Sequence, residues 1–311
     1  MRVLIDKYIP FLDDVLEPYF DVQHLAPEDI TSQSVQDADA LIIRTRTHVD
    51  SALLDGSRVR FVATATIGFD HIDTEYCRQH DINWVSCPGC NAQAVCDYVE
   101  EVLDTLVEPS PNNVIGVVGY GHVGALVARM AERKGLQVIV SDPPLGIGVD
   151  TDEIARKCNI ITLHTPLTHD GEYPTYHLVN ETFLRQCKTN TLLINAARGG
   201  VVDEEALLQR TDIRCAIDCW EGEPTINQAL VERVDLASYH IAGYSVAGKM
   251  NASQMCLDAL CKFFGLPILS INKKIVPLQG DLEHGWLTRI TRELKAQPQQ
   301  FEYLRKQYKL R

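Results

Sequence analysis

Short apolar runs alternate with longer amphipathic stretches from the second residue onward. Residues 2–5, 40–44, 61–65 and 82–86 carry the continuous Val/Ile/Leu pattern of strands buried on both faces. The segments between them have helical spacing. Such alternation predicts a parallel sheet covered by helices, because parallel neighbours need a crossover connection. This first unit closes near Pro88. An amphipathic helix over 92–107 follows, and the breaker from Glu108 to Asn113, rich in proline and asparagine, leads into a second series. Its strands are predicted at 114–118, 137–141, 160–164, 191–195, 215–218 and 236–239, a count that suits a doubly wound sheet. A further helix over about 249–264 ends at Gly265 and Pro267. Beyond Lys273 the composition turns to Lys, Arg and Gln, with Phe301, Tyr303, Leu304 and Tyr308 spaced as on one helix face. That stripe needs a surface to cover, on this chain or on a second copy. The expected division is 1–91, 92–254, a return helix over 255–272 and a short C-terminal segment, 273–311.

Composition narrows the function. At 311 residues and 45% hydrophobic content the chain has enough apolar matter for two cores. A formal charge of −13, from 42 acidic against 29 basic side chains, argues against nucleic acid or an anionic membrane as partner. An anionic substrate would therefore need a local positive field from a few named cations. The first apolar run breaks at Asp6 and Lys7, too early for a signal peptide or a spanning helix, so a cytoplasmic protein is expected. The ten cysteines are scattered and read as small buried hydrophobes rather than disulfides. Cys87 and Cys90 have Cys-x-x-Cys spacing, but neither a second pair nor a histidine pair accompanies them, and no metal site is expected.

Gly119, Gly121 and Gly124 form a Gly-x-Gly-x-x-Gly turn directly after the apolar run 114–118 and open a helix. That context gives the motif its meaning. The first glycine allows the tight turn, the second lets backbone approach a pyrophosphate, and the third lets helix and strand pack closely. Asp142, at the end of the next strand, suits the two ribose hydroxyls of an adenosine and would repel a 2′-phosphate, so NAD rather than NADP is the expected cofactor.

Ligands of such sheets bind beyond the carboxyl ends of the strands. Three successive strands deliver a polar residue there: Arg198, Glu223 and His240. Together they match the oxidation of an alcohol beside a carboxylate. Histidine takes the hydroxyl proton near neutral pH, a carboxylate on its other nitrogen fixes the tautomer, and arginine's planar fork holds the acid. Taken singly, each has a blander reading as a cap or a structural residue; as a triple they read as catalytic. His164 reads as cofactor loop, and His122 lies in the phosphate turn with its side chain outward.

These residues also carry a family resemblance. The segments Val-Gly-Tyr-Gly-His-Val-Gly, Leu-His-Thr-Pro-Leu-Thr, Asn-Ala-Ala-Arg-Gly-Gly-Val-Val-Asp, Asp-Cys-Trp-Glu-Gly-Glu-Pro and His-Ile-Ala-Gly-Tyr occur in this order. In that order the chain, from about residue 60 to 265, resembles the D-2-hydroxyacid dehydrogenase family. The resemblance implies an α/β fold of two Rossmann-like doubly wound parallel-sheet domains, a flavodoxin-like substrate (lid) domain and an NAD-binding domain, plus a short C-terminal extension. It implies Arg198, Glu223 and His240 as the catalytic set, substrate contacts from Thr45, Thr66 and Tyr244, and NAD contacts from Asp142, Thr165, Asp218 and Gly243. The stretches Pro88-Gly-Cys-Asn-Ala92 and Asp170-Gly-Glu-Tyr173 resemble the branch acting on a small phosphorylated hydroxy acid. Thr45 beside Arg44 suits phosphate oxygens, with Arg44 and Arg46 both candidates for that charge. Members of that branch are homodimers with a longer C-terminal dimerisation domain than the 46 residues that follow Gly265. Two rival readings are a dehydrogenase of the same fold acting on 3-phosphoglycerate, glycerate or glyoxylate, and a non-catalytic NAD-sensing corepressor.

Overall fold

The computed structural model describes residues 1–271 and 285–310. They divide into two compact units, one from 1–91 and 245–271, the other from 92–244 and 285–310.

The first unit holds β1 (Arg2–Asp6), β2 (Asp21–Leu25), β3 (Ala40–Ile43), β4 (Phe61–Thr64) and β5 (Asn83–Val85). All pair in parallel in the order β2-β1-β3-β4-β5, the flavodoxin-like winding. Strand β2 escapes the hydrophobic pattern. As an edge strand it buries little, and its sequence Asp-Val-Gln-His-Leu mixes polar and apolar positions. The helix Val246–Phe264 starts at Ser245, whose hydroxyl accepts from the Gly248 N–H, and stops at Gly265 with φ of 68°. It sets Ala252, Cys256, Leu257 and Leu260 against Val3, Ile5, Ala40, Ile42 and Phe61. No breaker interrupts it, so the expected edge at 254 falls inside one continuous helix, and the whole helix groups with the first unit.

The second unit holds β6 (Val114–Val118), β7 (Gln137–Asp142), β8 (Ile147–Gly148), β9 (Ile160–Leu163), β10 (Leu192–Asn195), β11 (Arg214–Ile217) and β12 (Leu236–Ala237). The order is β12-β11-β10-β9-β6-β7-β8. Every pair is parallel except β7 with β8, a two-residue antiparallel edge too short to leave a pattern in the sequence. The winding reverses between β6 and β9, which puts the ligand crevice of this sheet at the carboxyl ends of those strands.

The C-terminal helices Trp286–Ala296 and Phe301–Gln307 belong to this second unit. Leu287, Ile290, Leu294, Phe301 and Leu304 enter its core, so the apolar stripe covers this chain's own sheet unit. Tyr303, expected on that stripe, is instead 59% exposed, because two residues on from Phe301 it stands about 200° round the helix. Thr291 ties the first of these helices to β12 by accepting from the Ala237 N–H at 3.0 Å. Residues 272–284, the last position of the expected return helix and the start of the expected C-terminal segment, lie outside the described residues.

All ten cysteines are buried, and Cys87 sits with its Sγ 3.5 Å from that of Cys256. Among the described residues no helix is long and apolar enough to cross a membrane.

Candidate active site

The glycine turn does what its spacing requires. Gly119 has φ of +89°, and a Cβ there would lie 2.7 Å from the His164 carbonyl oxygen. A Cβ on Gly124 would fall 1.9 Å from the Gly119 oxygen, so only glycine lets the helix start against the strand. Beside Gly121 the space is open: its Cβ would meet nothing within 4 Å. Gly121 is also the N-cap of the helix His122–Arg133 and offers no side chain to its first amides, which leaves them for a ligand.

Asp142 ends β7 beside this turn, its carboxylate accepting from the Tyr120 N–H at 2.6 Å and the Leu145 N–H at 3.3 Å. Thr165 adjoins Gly119 from the loop after β9, and its buried hydroxyl has no hydrogen-bond partner among the described residues. An open glycine cradle, an acid at the next strand end and an orphaned hydroxyl fit a dinucleotide, with diphosphate at the amides and ribose at Asp142. His164 is no base: burial drives its pKa down to about 3, and its Nε2 lies 2.9 Å from Thr162 Oγ1.

At the other end of the sheet, β10, β11 and β12 are consecutive neighbours, so the segments that follow them are brought together. Arg198 follows β10 and is exposed, donating Nη1–H to its neighbour's carbonyl at Ala197 and making no side-chain cap. Its loop is pressed onto the next one, since a Cβ on Gly199 would stand 2.0 Å from the Trp220 oxygen. Asn195 stitches the two together, donating to the carbonyls of Arg198 and Cys219 at 3.0 and 3.1 Å.

Glu223 and His240 meet directly. The His240 Nδ1–H donates to Glu223 Oε2 at 2.8 Å, while Glu223 Oε1 accepts from the Trp220 N–H at 2.8 Å. That contact places the proton of the neutral ring on Nδ1. Burial opposes a charged imidazole, but Cys219 and Glu223 against the ring outweigh it and raise the pKa of His240 well above its ordinary value. Burial in turn pushes the Cys219 thiol up, against the opposing pull of His240.

His240 has φ of 59°, a left-handed conformation that a β-carbon disfavours. Asp218 holds it there. This fully buried carboxylate accepts from the amides of Ile241 and Ala242 at 2.8 and 2.9 Å and from the Ser238 hydroxyl at 2.6 Å, while its own carbonyl accepts from the His240 N–H at 2.9 Å. Asp218 thus builds the base's turn whatever it offers a cofactor. Gly243 lies in the following turn, closed by the Tyr244 N–H on the Ile241 carbonyl at 2.8 Å.

In the first unit, Thr45 is exposed in the turn after β3, and Thr66 follows β4, donating to the Gly68 carbonyl at 2.9 Å. Arg44 is committed to Asp6: its fork spans both carboxylate oxygens at 2.8 and 3.1 Å, with the Tyr8 ring 5.3 Å away.

Sequence reasoning missed three residues here. Cys219 touches the base and donates to the Ala197 carbonyl at 3.4 Å. Glu204, buried, accepts from the Glu221 N–H at 2.7 Å, and its pKa is raised to about 7 by burial, with Glu221 and Glu223 adding to it. Arg305 reaches Tyr244 at 3.0 Å from the C-terminal helix. Only contacts far apart in sequence reveal them, and no local pattern marks them.

A nucleotide cradle at one strand end and a histidine–carboxylate pair at the third and fourth strands beyond it define a dehydrogenase, and residues 102–242 match the family model of the D-isomer specific 2-hydroxyacid dehydrogenase NAD binding domain. Among solved structures, the chain is similar to NAD+-bound 3-phosphoglycerate dehydrogenase from Entamoeba histolytica. The TM-score is 0.71 at 23% identity, over 88% of this chain and 99% of that one. At full length it is 41% identical to an erythronate-4-phosphate dehydrogenase from Bacteroides thetaiotaomicron, over all of this chain and 97% of the relative. A relative of the same name from Azotobacter vinelandii is 40% identical over 96% of this chain and 80% of its own length. The chain belongs to the erythronate-4-phosphate dehydrogenase family, within the D-2-hydroxyacid dehydrogenases, and is an NAD-dependent oxidoreductase acting on a CH–OH group. The first alignment spans 339 positions against 311 residues here, so that relative carries residues this chain lacks.

Proposed function

We propose that this enzyme oxidises 4-phospho-D-erythronate at carbon 2 to 2-oxo-3-hydroxy-4-phosphobutanoate, a step of vitamin B6 biosynthesis. The observation that carries the reading is the 2.8 Å bond from His240 Nδ1 to Glu223 beside the strand end bearing Arg198, in a chain 41% identical to its relative throughout. Bound NAD supplies the hydride acceptor. His240 Nε2 takes the C2 hydroxyl proton, Glu223 stabilises the imidazolium that results, and Arg198 holds the carboxylate with its fork of donors. Asp142, Thr165, Asp218 and Gly243 are assigned to the cofactor, and Thr45, Thr66 and Tyr244 to the substrate.

Positive charge for the phosphate comes from the first unit, which we assign as the substrate domain. There burial, and then the charge of Arg44, lower the pKa of Lys249, which marks cations held close together. Two copies of the chain form the working enzyme in this reading.

The test follows absorbance of NADH with 4-phosphoerythronate or 3-phosphoglycerate, and consumption of a 2-oxo acid where that acceptor is added. Turnover with the four-carbon phosphate and not with 3-phosphoglycerate is expected. Turnover of 3-phosphoglycerate alone overturns the substrate assignment, and silence on both revives the NAD-sensing reading.

A further inference from the structure

The C-terminal helix Phe301–Gln307 does more than close the core of the second unit. It buries Phe301 and Leu304 and directs Arg305, between these anchors and the end of the helix, at Tyr244. The guanidinium Nε–H donates to the Tyr244 hydroxyl oxygen at 3.0 Å, and its Cζ stands 5.5 Å from the centre of the same ring. Arg305 is half-buried, pairs with Glu302 of its own helix at 3.8 Å, and lies close enough to Glu223 for their charges to interact. Tyr244 is five residues from Tyr239, and the Tyr308 ring is 6.1 Å from Tyr239 and 6.4 Å from Tyr244. The helix and its C-cap residue therefore contact Tyr239 and Tyr244, on either side of His240.

The chemistry of a phenol gives this contact a consequence. A tyrosine hydroxyl has one proton and can either donate or accept toward a ligand. A bond accepted from a fixed cation orients the hydroxyl and polarises its O–H, so that the bond it donates is strengthened by the one accepted. Tyr244 held this way selects for acceptor oxygens of an acid and against a neutral hydroxyl donor.

We propose that Arg305 is a positioning residue for the substrate site, orienting Tyr244 as a hydrogen-bond donor to an anionic oxygen of the bound acid. The inference rests on the assignment of Tyr244 to the substrate. It makes the C-terminal helix part of the specificity of the site, although the helix lies some 60 residues beyond the last catalytic side chain.

The test is a double-substitution cycle with Arg305→Met and Tyr244→Phe, plus Arg305→Lys as the conservative variant. Each of the first two raises the KM for 4-phosphoerythronate about tenfold, the loss of one charge-assisted hydrogen bond, with kcat within about threefold and the KM for NAD unchanged. The pair together does no more than either alone, and lysine restores part of the loss. Additive effects, or an equal rise in the KM for NAD, overturn the proposal, since a helix that merely stabilises the unit would move both substrates. Wild-type enzyme silent on 4-phosphoerythronate counts against the substrate reading alone. Arg305 is then judged by quenching of bound NADH fluorescence on titration with oxalate and with inorganic phosphate. Non-additive weakening of either probe in the two variants supports the role, and no change in both overturns it.

Discussion

Two turns at the ends of one sheet are built by opposite means. The turn after β6 is shaped by what its residues lack: Gly119 must take φ of +89°, Gly124 must leave room for the Gly119 oxygen, and Asp142 adds one bond from the next strand, to the Tyr120 N–H. The turn after β12 is held by what surrounds it. His240 sits at φ of 59° because Asp218, Ser238, Tyr98 and Trp220 form a buried network beneath it, with Tyr98 Oη 2.9 Å from Ser238 Oγ and the Trp220 indole donating to the Ser238 carbonyl at 2.8 Å. A backbone-made turn is carried by six consecutive residues and tolerates a bound polyanion. A network-made turn draws on residues from 98 to 242 and holds one ring nitrogen in place.

The largest way to break this contrast is Asp218→Ala. It strands two amides and a hydroxyl in the interior, at about 1–3 kcal/mol for each unsatisfied group. A stability loss of about 3–5 kcal/mol by denaturant unfolding is expected. Turnover falls with it by about a thousandfold in the fraction that stays folded, because the base is no longer oriented. A variant of near-native stability would show that the network is dispensable.

Glu223→Gln sharpens the same comparison with less disturbance. Oxidation needs the neutral imidazole, and Cys219 and then Glu223 raise the pKa of His240 against its burial, so wild-type turnover climbs with pH through a value above the ordinary 6.5. The amide removes the charge that favours imidazolium. The rising limb of the kcat/KM profile is expected to move to lower pH, and the plateau to drop by about a hundredfold. A profile that stays where it was would assign the raised pKa to something other than Glu223.

Gly119→Ala attacks the other turn. Its Cβ meets the His164 carbonyl and its φ is disfavoured, so NADH binding measured by fluorescence weakens by about ten- to a hundredfold. At saturating cofactor, kcat stays within about threefold, because the His240–Glu223 pair belongs to the far strands and keeps its geometry.

The same contrast explains what the sequence disclosed. The glycine turn and Asp142 lie where expected, and five of the six strands predicted after 113 begin and end within one residue of their observed bounds, because each is a local pattern, backbone freedom or a continuous apolar run. The remaining strand, β12, also starts at 236 but stops at Ala237, where the chain bends toward the His240 turn. Strands β2 and β8 left no signal because edges bury too little to demand apolar residues. Arg198, Glu223 and His240 were legible only as a set at successive strand ends. Their supports were not legible: Cys219 reads as a hydrophobe, Glu204 as a helix-start acid, and Arg305 as one more charge in a basic tail. Each acquires its role from a partner 17 or more positions away, at Glu221, His240 or Tyr244.

Glu204 gives the smallest effect and the finest test of how the network is tuned. Its carboxyl accepts from the Glu221 N–H under the loop that carries Glu223, and its pKa stands at about 7 against 4.5 in the unfolded chain, because burial and then the neighbouring carboxylates disfavour its charge. Folding therefore takes up a proton between these values, so this group favours the fold most at low pH, and its contribution is lost as pH rises from about 4.5 through 7. Glu204→Gln keeps the acceptor oxygen and never ionises. The variant should match wild type in thermal stability near pH 4.5 and become the more stable of the two by on the order of 1–2 kcal/mol at pH 8, the gap opening across that window. A gap independent of pH would mean that Glu204 is ionised throughout, and that the loop bearing Glu223 is built to hold a second negative charge rather than to exclude one.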